Sequence, residues 1–306
     1  MGECTILIPT HNRHHFLDRC VMWFIDKQYP VVIADSSAQE WVSEYRSSRY
    51  VTYLWEPGAG FQTYISKVKK ALDAVSTKYV NLCADDDFVT HDGIQTCVEY
   101  LNQHDDYSFA QGHSYLFQSF GERQVLWPML YNLNSADGGT WAARMAPDTD
   151  TVYYGVNRAD GLRDAFGFLC KQEFGKFIDH AAGFFDFAIT AITARRGKLR
   201  RLPIPFSIRE YSPITSAVGQ RYQTIASDEV TTFYRNLIDH ICEGDQCPGR
   251  DTMLRLCARH YADCILYDCS LPIRLTQTPT TCWVRPIAGV EFSVGRRLSP
   301  ARDPQQ

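Results

Sequence analysis

Through its first hundred residues the chain alternates short apolar runs, each closed by a polar break, with stretches whose apolar positions recur at helical spacing. The run Cys4-Thr5-Ile6-Leu7-Ile8-Pro9 stops at proline and gives way to Thr10-His11-Asn12-Arg13, which predicts a first strand and its loop. Phe16, Leu17, Cys20, Val21, Phe24 and Ile25 then share one helical face over residues 15–25. Pro30 opens a second strand, Val31-Val32-Ile33-Ala34, which ends at Asp35-Ser36-Ser37. A third strand over residues 50–55 is broken by Pro57-Gly58-Ala59-Gly60. The helix predicted over residues 61–75 carries the stripe Tyr64, Ile65, Val68, Ala71, Leu72 and Val75, with Lys67, Lys69 and Lys70 largely off it. A fourth run, Tyr79-Val80-Asn81-Leu82-Cys83-Ala84, closes at Asp85-Asp86-Asp87, and a helix is expected over residues 91–102. This β/α alternation predicts an α/β fold, a mostly parallel sheet sandwiched by helices.

Beyond residue 105 the order loosens. Residues 107–118 read as a strand, residues 126–151 as a substrate-facing loop rich in Trp, Tyr, Gly and Asp, and residues 152–156 as another strand. A helix over residues 180–196 sets Phe185, Ala188, Ile189 and Ile192 on one side and stops at Gly197, and a Pro-punctuated edge strand follows over residues 199–206. From about residue 220 helical periodicity continues without strands, over residues 230–241 and 252–267. The expected division is a domain over residues 1–215 and a helical extension over residues 216–306, its last stretch from Arg296 having the composition of a flexible tail. The extension is expected to pack on the domain, shaping an acceptor side or a homo-oligomer contact.

Composition narrows this picture little. With 45% hydrophobic residues the 306-residue chain can bury a full core, and a formal charge of −4 gives no basic field, so nucleic acid is not an expected partner. No stretch approaches the ~20 apolar residues of a transmembrane segment. The first residues read directly as a strand, with no signal peptide before them, and the cysteine count of 11 is odd, so reduced thiols and a cytoplasmic location are expected. Neither Cys242-x4-Cys247 nor the group Cys257, His260, Cys264 and Cys269 has paired C-x2-C spacing, so buried thiols are expected there in preference to zinc.

The chemistry concentrates at the acidic triplet. Three adjacent carboxylates at the end of a buried strand repel one another, and a bound divalent cation is the simplest way to keep them ionised. In an extended chain Asp85 and Asp87 face one way while Asp86 turns aside. The competing reading is a solvated acidic turn that caps the next helix. No Gly-rich phosphate loop occurs, so phosphate, if bound, is met by metal and side chains.

The ordered strings Ile6-Leu7-Ile8-Pro9-Thr10-His11-Asn12-Arg13, Ile33-Ala34-Asp35-Ser36 and Ala84-Asp85-Asp86-Asp87-Phe88, with weaker support from Phe185-Asp186 and from residues 201–210, resemble family 2-like glycosyltransferases with the GT-A (Rossmann-like) fold, over about residues 4–212. The resemblance implies that Thr10 and Asp35 contact the nucleoside of a nucleotide-sugar, usually a UDP-sugar, and that Asp85 and Asp87 are the "DXD" pair holding Mn2+ or Mg2+ on the diphosphate. The third aspartate departs from the commoner pattern and blurs which pair works. The expected donor site comprises Thr10, Asn12, Arg13, Asp35, Lys67, Asp85, Asp86 and Arg209. Lys67 is either a phosphate ligand or an ordinary helix-surface lysine, and Arg209 either a diphosphate clamp or a structural ion pair near Glu210. Transfer with inversion to a carbohydrate or other hydroxyl acceptor needs a carboxylate apart from the metal. Asp186 is the candidate base, its alternative role being a charge favoured by a helix N-terminus. The cluster Arg195, Arg196, Lys198, Arg200 and Arg201 reads as a solvated helix end or as a surface for a phosphorylated acceptor. A sugar-phosphate nucleotidylyltransferase and a non-catalytic sugar-nucleotide-binding protein are the alternatives.

Overall fold

The computed structural model describes residues 2–120, 123–128, 135–145, 152–172, 182–210, 227–242 and 249–260. The N-terminal alternation holds. Strands β1 (Cys4–Thr10), β2 (Val31–Asp35), β3 (Val51–Trp55) and β4 (Tyr79–Leu82) alternate with helices α1 (His14–Ile25) and α2 (Gly60–Ala74). Two-residue strand β5 (Phe88–Val89) and helix α3 (His91–Gln103) follow. Pairing β3-β2-β1-β4 is parallel throughout, with Thr10 opposite Asp35 at the carboxyl end.

Alternation along the strands decides which helix covers which face. Cys4, Ile6, Ile8, Val31 and Ile33 pack with Leu17, Cys20, Val21 and Phe24 of α1 and Ile94, Cys97 and Leu101 of α3. Leu7, Val32 and Ala34 face the other way, onto Ile65, Val68, Ala71 and Leu72 of α2. Both faces of a central parallel strand are therefore apolar, which is why β1 and β2 read as continuous hydrophobic runs.

The second half of the sheet is mixed. Strands β6 (Tyr107–Phe120), β7 (Arg123–Pro128), β8 (Val156–Arg158) and β9 (Lys198–Glu210) extend the order to β3-β2-β1-β4-β8-β6-β9-β5, with β7 on β6. Strand β8 runs antiparallel to both its neighbours, while β9 is parallel to β6. Several expectations change here. The start of the proposed loop over 126–151 is the end of β7, paired with β6 as far as Pro128. The strand expected over residues 152–156 is a 3₁₀ turn, Val152–Tyr154, leading into β8. The strand expected over residues 199–206 runs on to Glu210 as β9, and Phe88 and Val89 pair on its far side at Ile208 and Ser207, past the expected stretch. Its prolines are accommodated where the β6–β9 register shifts between the pairs Gln111–Arg201 and His113–Pro205.

Helix α4 (Trp141–Arg144) is a single turn, and α5 (Ala159–Cys170) was not anticipated. Helices α5, α6 (Ala182–Arg196) and α7 (Ser227–Ile241) continue the layer begun by α2, and a further helix spans residues 250–260. Val230, Phe233, Leu237 and Ile241 of α7, with Cys242, Met253 and Cys257, belong to the same buried cluster as Leu162, Phe166, Phe184 and Ile189. The helical segment past residue 227 is thus continuous with the core, and Cys242 and Cys257 are buried thiols within it. Cys247, Cys264 and Cys269, the tail and residues 211–226 lie outside the described residues.

Gly112 lies at the register shift, where an added Cβ would stand 2.3 Å from the backbone carbonyl oxygen of Ile204. A carbonyl in a paired strand has no rotamer with which to give way. Gly112→Ala is expected to destabilise the fold by about 1–3 kcal/mol, the usual scale of overpacking, read as a lower midpoint in denaturant unfolding. An unchanged midpoint would mean that β9 moves freely there.

Candidate functional site

The carboxyl ends of β1, β2 and β4 meet in one place, and the polar residues that close those strands are buried rather than solvated. Asp35 is 0% exposed. Its Oδ1 accepts from the Ser37 backbone N–H at 2.8 Å and from the Ser37 hydroxyl, and its Oδ2 accepts from the Tyr53 hydroxyl at 2.8 Å and faces His14 Nε2 at 2.8 Å. Burial alone would push Asp35 up, but the bonds from Ser37, Tyr53 and His14 outweigh it and hold the carboxyl below its ordinary range.

Lys67 is not a surface lysine: it is 5% exposed. Its ammonium donates to the Thr10 carbonyl and to Ser36 Oγ at 2.9 Å, tying the end of β1 to the end of β2. Burial lowers it to about 8, against the pull of Asp35 and Asp85. The sequence concealed this because position 67 looks peripheral on the helical stripe, while a lysine stem is long enough to cross α2's flank and bring its amine to the strand ends.

The acidic triplet is a turn, not an extended segment. The Asp87 backbone N–H donates to the Ala84 carbonyl at 3.1 Å, so the alternation that would align Asp85 with Asp87 does not apply. Asp85 accepts from the Thr10 hydroxyl at 2.6 Å and pairs with Arg13 Nε at 3.4 Å. The far end of the Arg13 guanidinium pairs with Asp86. Asp87 pairs instead with Arg209 Nε at 3.0 Å and accepts from the Glu210 backbone N–H at 3.2 Å. Desolvation raises Asp85 and pushes Asp87 up to about 6, in each case against its arginine. The helix after the turn is capped by Thr90, whose hydroxyl accepts from Gly93 N–H, so the triplet is not that helix's cap.

Arg209 pairs with Asp87 rather than near Glu210, which is held by Arg19 at 2.7 Å. Its guanidinium also lies 4.2 Å from the Tyr154 ring centroid and donates to the Tyr154 hydroxyl at 3.3 Å. Tyr154 opens onto an aromatic wall: Tyr153 lies 4.7 Å from it between ring centroids, and Phe185 packs against Tyr153, Tyr64 and Phe61. Asp186, half-buried on α6, borders this wall, and its charge adds to the burial that pushes Tyr64, Tyr153 and Tyr154 up. It lies beyond the first turn of α6, so the helix dipole does not account for it.

The fold thus brings Thr10, Arg13, Asp35, Lys67, Asp85, Asp86, Asp87 and Arg209 together, with Asp186 on the adjoining wall. Asn12 holds the loop: at φ 56° its N–H donates to Ser37 Oγ at 2.7 Å and its Oδ1 accepts from Ala38 N–H at 3.0 Å. The basic cluster stays away. Arg196 pairs with Asp160 and Asp164, Lys198 with Asp106, Arg200 with Asp137, Arg195 donates to the Ile241 carbonyl, and Arg201 contacts His113. His14, Ser36, Ser37, Tyr53 and Tyr154 belong to the site and were not foreseen. For Ser37 a signal existed, since Asp followed two residues on by a side-chain donor is an Asx-turn pattern.

The pH dependence of stability follows from Asp87. Its folded carboxyl titrates near 6 against 3.8 for the ordinary group, so the folded state binds the extra proton between those values. The resulting stabilisation is complete below about pH 4 and is lost as pH rises through 6. Asp87→Asn cannot ionise, so its melting temperature relative to the parent should rise by several degrees between pH 4.5 and 7.5, an effect of roughly 1–3 kcal/mol. A difference independent of pH would show that Arg209 fully compensates the charge.

The family model for glycosyl transferase family 2 matches residues 5–159, just over half of the chain. Among curated proteins no sequence matches. Among solved structures the chain is similar to S. aureus TarS at 14% identity and a TM-score of 0.56, over 90% of this chain and 46% of that one, so it spans just under half the length of that protein. It is also similar to S. aureus TarS 1-349 in complex with UDP-GlcNAc (13% identity, TM-score 0.57, 91% of this chain and 77% of that one) and in complex with UDP (13%, 0.54, 91% and 76%).

Proposed function

The chain belongs to glycosyl transferase family 2, and from that premise we propose that it transfers a sugar from a UDP-sugar to a hydroxyl acceptor, with a divalent cation at the Asp85–Asp87 turn. It is a glycosyltransferase with the GT-A fold, which displaces the nucleotidylyltransferase reading. The observation that carries the proposal is the acidic turn at the end of β4, buried beside the paired ends Thr10 and Asp35. The TarS structures hold UDP and UDP-GlcNAc on the same fold, which supports a uridine nucleotide as donor.

The charges around the turn support a cation. Asp35, Asp85, Asp86 and Asp87 supply four negative charges, and Arg13, Arg209 and Lys67 supply three positive ones, leaving a deficit of one. Carboxylate oxygens suit Mg2+ or Mn2+ alike. Among the described residues no three metal-binding side chains converge, so Asp85 and Asp87 would hold the ion only together with donor phosphate oxygens. When bound, it would neutralise charge on the departing diphosphate.

The chain's own groups divide the rest. Arg13, 38% exposed in its side chain, pairs with Asp85 and Asp86, Arg209 pairs with Asp87, and each can turn a guanidinium edge to a phosphate. Asp186, whose charge acts on Tyr154 as does that of Arg209, is the residue we assign to take the acceptor's proton as the sugar moves, which would give transfer with inversion.

UDP with Mn2+ or Mg2+ should raise the melting temperature by several degrees, since ligand at a hundredfold excess over Kd contributes ~2.7 kcal/mol. With EDTA present the shift should fall sharply. An equal shift in chelator would remove the cation from the donor site.

Asp186→Asn should lower kcat by about 10²- to 10⁴-fold with donor affinity nearly unchanged, because a general base acts only while the proton is in flight. Activity within a fewfold of the parent would exclude Asp186 as the base. A parent that binds donor yet transfers no sugar to any hydroxyl acceptor would favour a non-catalytic binding protein.

A further inference from the structure

The acidic turn is held by its backbone as well as by its side chains. The peptide between Asp86 and Asp87 is gripped at both ends: its N–H donates to the Ala84 carbonyl at 3.1 Å, and its carbonyl accepts from Arg19 Nη2 at 3.1 Å. The Ala84 carbonyl also accepts from the thiols of Cys20 at 3.7 Å and Cys83 at 3.4 Å, and the Asp87 carbonyl from Cys83 at 3.6 Å. Thiols are weak donors, so Arg19, on α1, is the only charged donor to the main chain of the turn among the described residues.

The Arg19 head is itself fixed. The same Nη2 donates to Glu210 Oε2 at 2.7 Å, and the guanidinium carbon lies 4.8 Å from the Phe88 ring centroid and 5.5 Å from that of Phe16. Glu210, which ends β9, also donates its backbone N–H to Asp87 Oδ1 at 3.2 Å. A ring of hydrogen bonds closes in this way. It runs from the Asp87 carboxylate to the Glu210 main chain, from the Glu210 carboxylate to Arg19, and from Arg19 back to the peptide that precedes Asp87.

The orientation that lets one nitrogen serve both oxygens leaves Arg19 Nε buried without a partner among the described residues. That is a cost which an ordinary surface ion pair does not carry. Charge does not explain it, because Arg19 and Glu210 cancel and leave the balance around the turn as it was. What the pair supplies is position.

We propose that Arg19 is a positioning residue for the donor diphosphate: held by Glu210, it fixes the Asp86–Asp87 peptide and so the direction in which Asp87 presents its carboxylate to a phosphate-bound cation. The proposal rests on the cation reading above and names the residues that set the turn for it. Arg19 acts through the turn and touches neither nucleotide nor cation.

The test is calorimetric binding of UDP, once with Mg2+ and once with EDTA, to the parent, Arg19→Met, Arg19→Met/Glu210→Gln and Arg19→Lys. Methionine keeps an unbranched stem beside the two rings and removes the donor. The double variant also removes the carboxylate, so its net charge is that of the parent. With Mg2+ both methionine variants should bind UDP about tenfold more weakly, the worth of one hydrogen bond from a charged group. With EDTA every variant should bind UDP within about twofold of the parent, because the direction of Asp87 matters only when a cation links it to the diphosphate. Arg19→Lys supplies one charged nitrogen on a slightly shorter stem and should recover part of the loss, since a single nitrogen serves both oxygens.

Equal weakening in Mg2+ and in EDTA would show a general structural role and overturn the proposal. So would undiminished binding with Mg2+ in both methionine variants, or a lysine variant no better than methionine. A loss in Arg19→Met that is absent from the double variant would trace the effect to the unpaired charge of Glu210 and overturn it as well. A parent whose UDP affinity is the same in Mg2+ and in EDTA would instead remove the cation reading and this inference with it, a result distinguishable from the others before any variant is made.

Discussion

Carboxylates buried at the ends of parallel strands are the constraint that the rest of the molecule answers. Taking an ion of that kind out of water costs several kcal/mol unless fixed donors surround it. The donors here come from everywhere except the strand that bears the acid. Asp35 on β2 is satisfied by Ser37 beyond its end, Tyr53 on β3 and His14 on α1. Asp85 after β4 takes its bond from Thr10 on β1, and Asp87 takes its from β9. Apart from the two from Ser37, each bond joins two elements, and the polar network that makes the site also fixes how the strand ends sit relative to one another. Asn12 shows the same logic in the backbone, since its left-handed conformation places both its N–H and its side chain on the 37–38 segment.

Charge at this centre is one positive short of balance, and its groups are under opposing pressures. Lys67 is pushed down and Asp85 and Asp87 are pushed up, both by burial, although each has an opposite charge nearby. Groups under opposing pressures of this kind respond to whatever charge arrives next, and such perturbation is characteristic of functional sites. The aromatic wall has a related character. Tyr64, Tyr153 and Tyr154 are kept neutral by burial with Asp186 beside them, so the wall offers hydroxyls and ring faces but adds no negative charge of its own.

How much of this was legible follows from the range of the interactions involved. Strands β1 to β4 and their helices could be read because their cores obey local periods, and the acidic turn because a buried run ends on it. The fold class and the family resemblance rested on those same stretches. Helix α5 carries Leu162, Ala165, Phe166 and Leu169 at helical spacing, but Gly161 and Gly167 interrupt it and mask the signal. The place of β8 between β4 and β6, antiparallel to both, depends on neighbours distant in sequence and leaves no mark in a three-residue strand. The burial of Lys67 and the saturation of Asp35 were hidden for a similar reason. Whether a polar side chain faces water or a partner is decided by what the opposite element contributes, and residue 35 gives no hint that residues 14 and 53 converge on it.

The two halves of the sheet are joined chemically as well as by strand pairing. The parallel half supplies Thr10, Asp35, Lys67 and the acidic turn from within the first ninety residues, while Arg209, Tyr154 and Asp186 come from segments more than sixty residues further along. The only described ion pair that crosses from Asp85, Asp86 or Asp87 into the mixed half is Arg209 with Asp87, backed by the Glu210 N–H and by the Tyr154 ring. That arrangement makes β9 more than a scaffold. Its short contact with β5 sets Ile208 opposite Phe88, immediately after the turn, so the pairing that places Arg209 also fixes the residue following Asp87. A displacement of β9 along β6 would break the ion pair and the β5 pairing together. The register shift at Gly112, where an added Cβ would meet the Ile204 carbonyl, is therefore connected to the acidic turn through the backbone of β9.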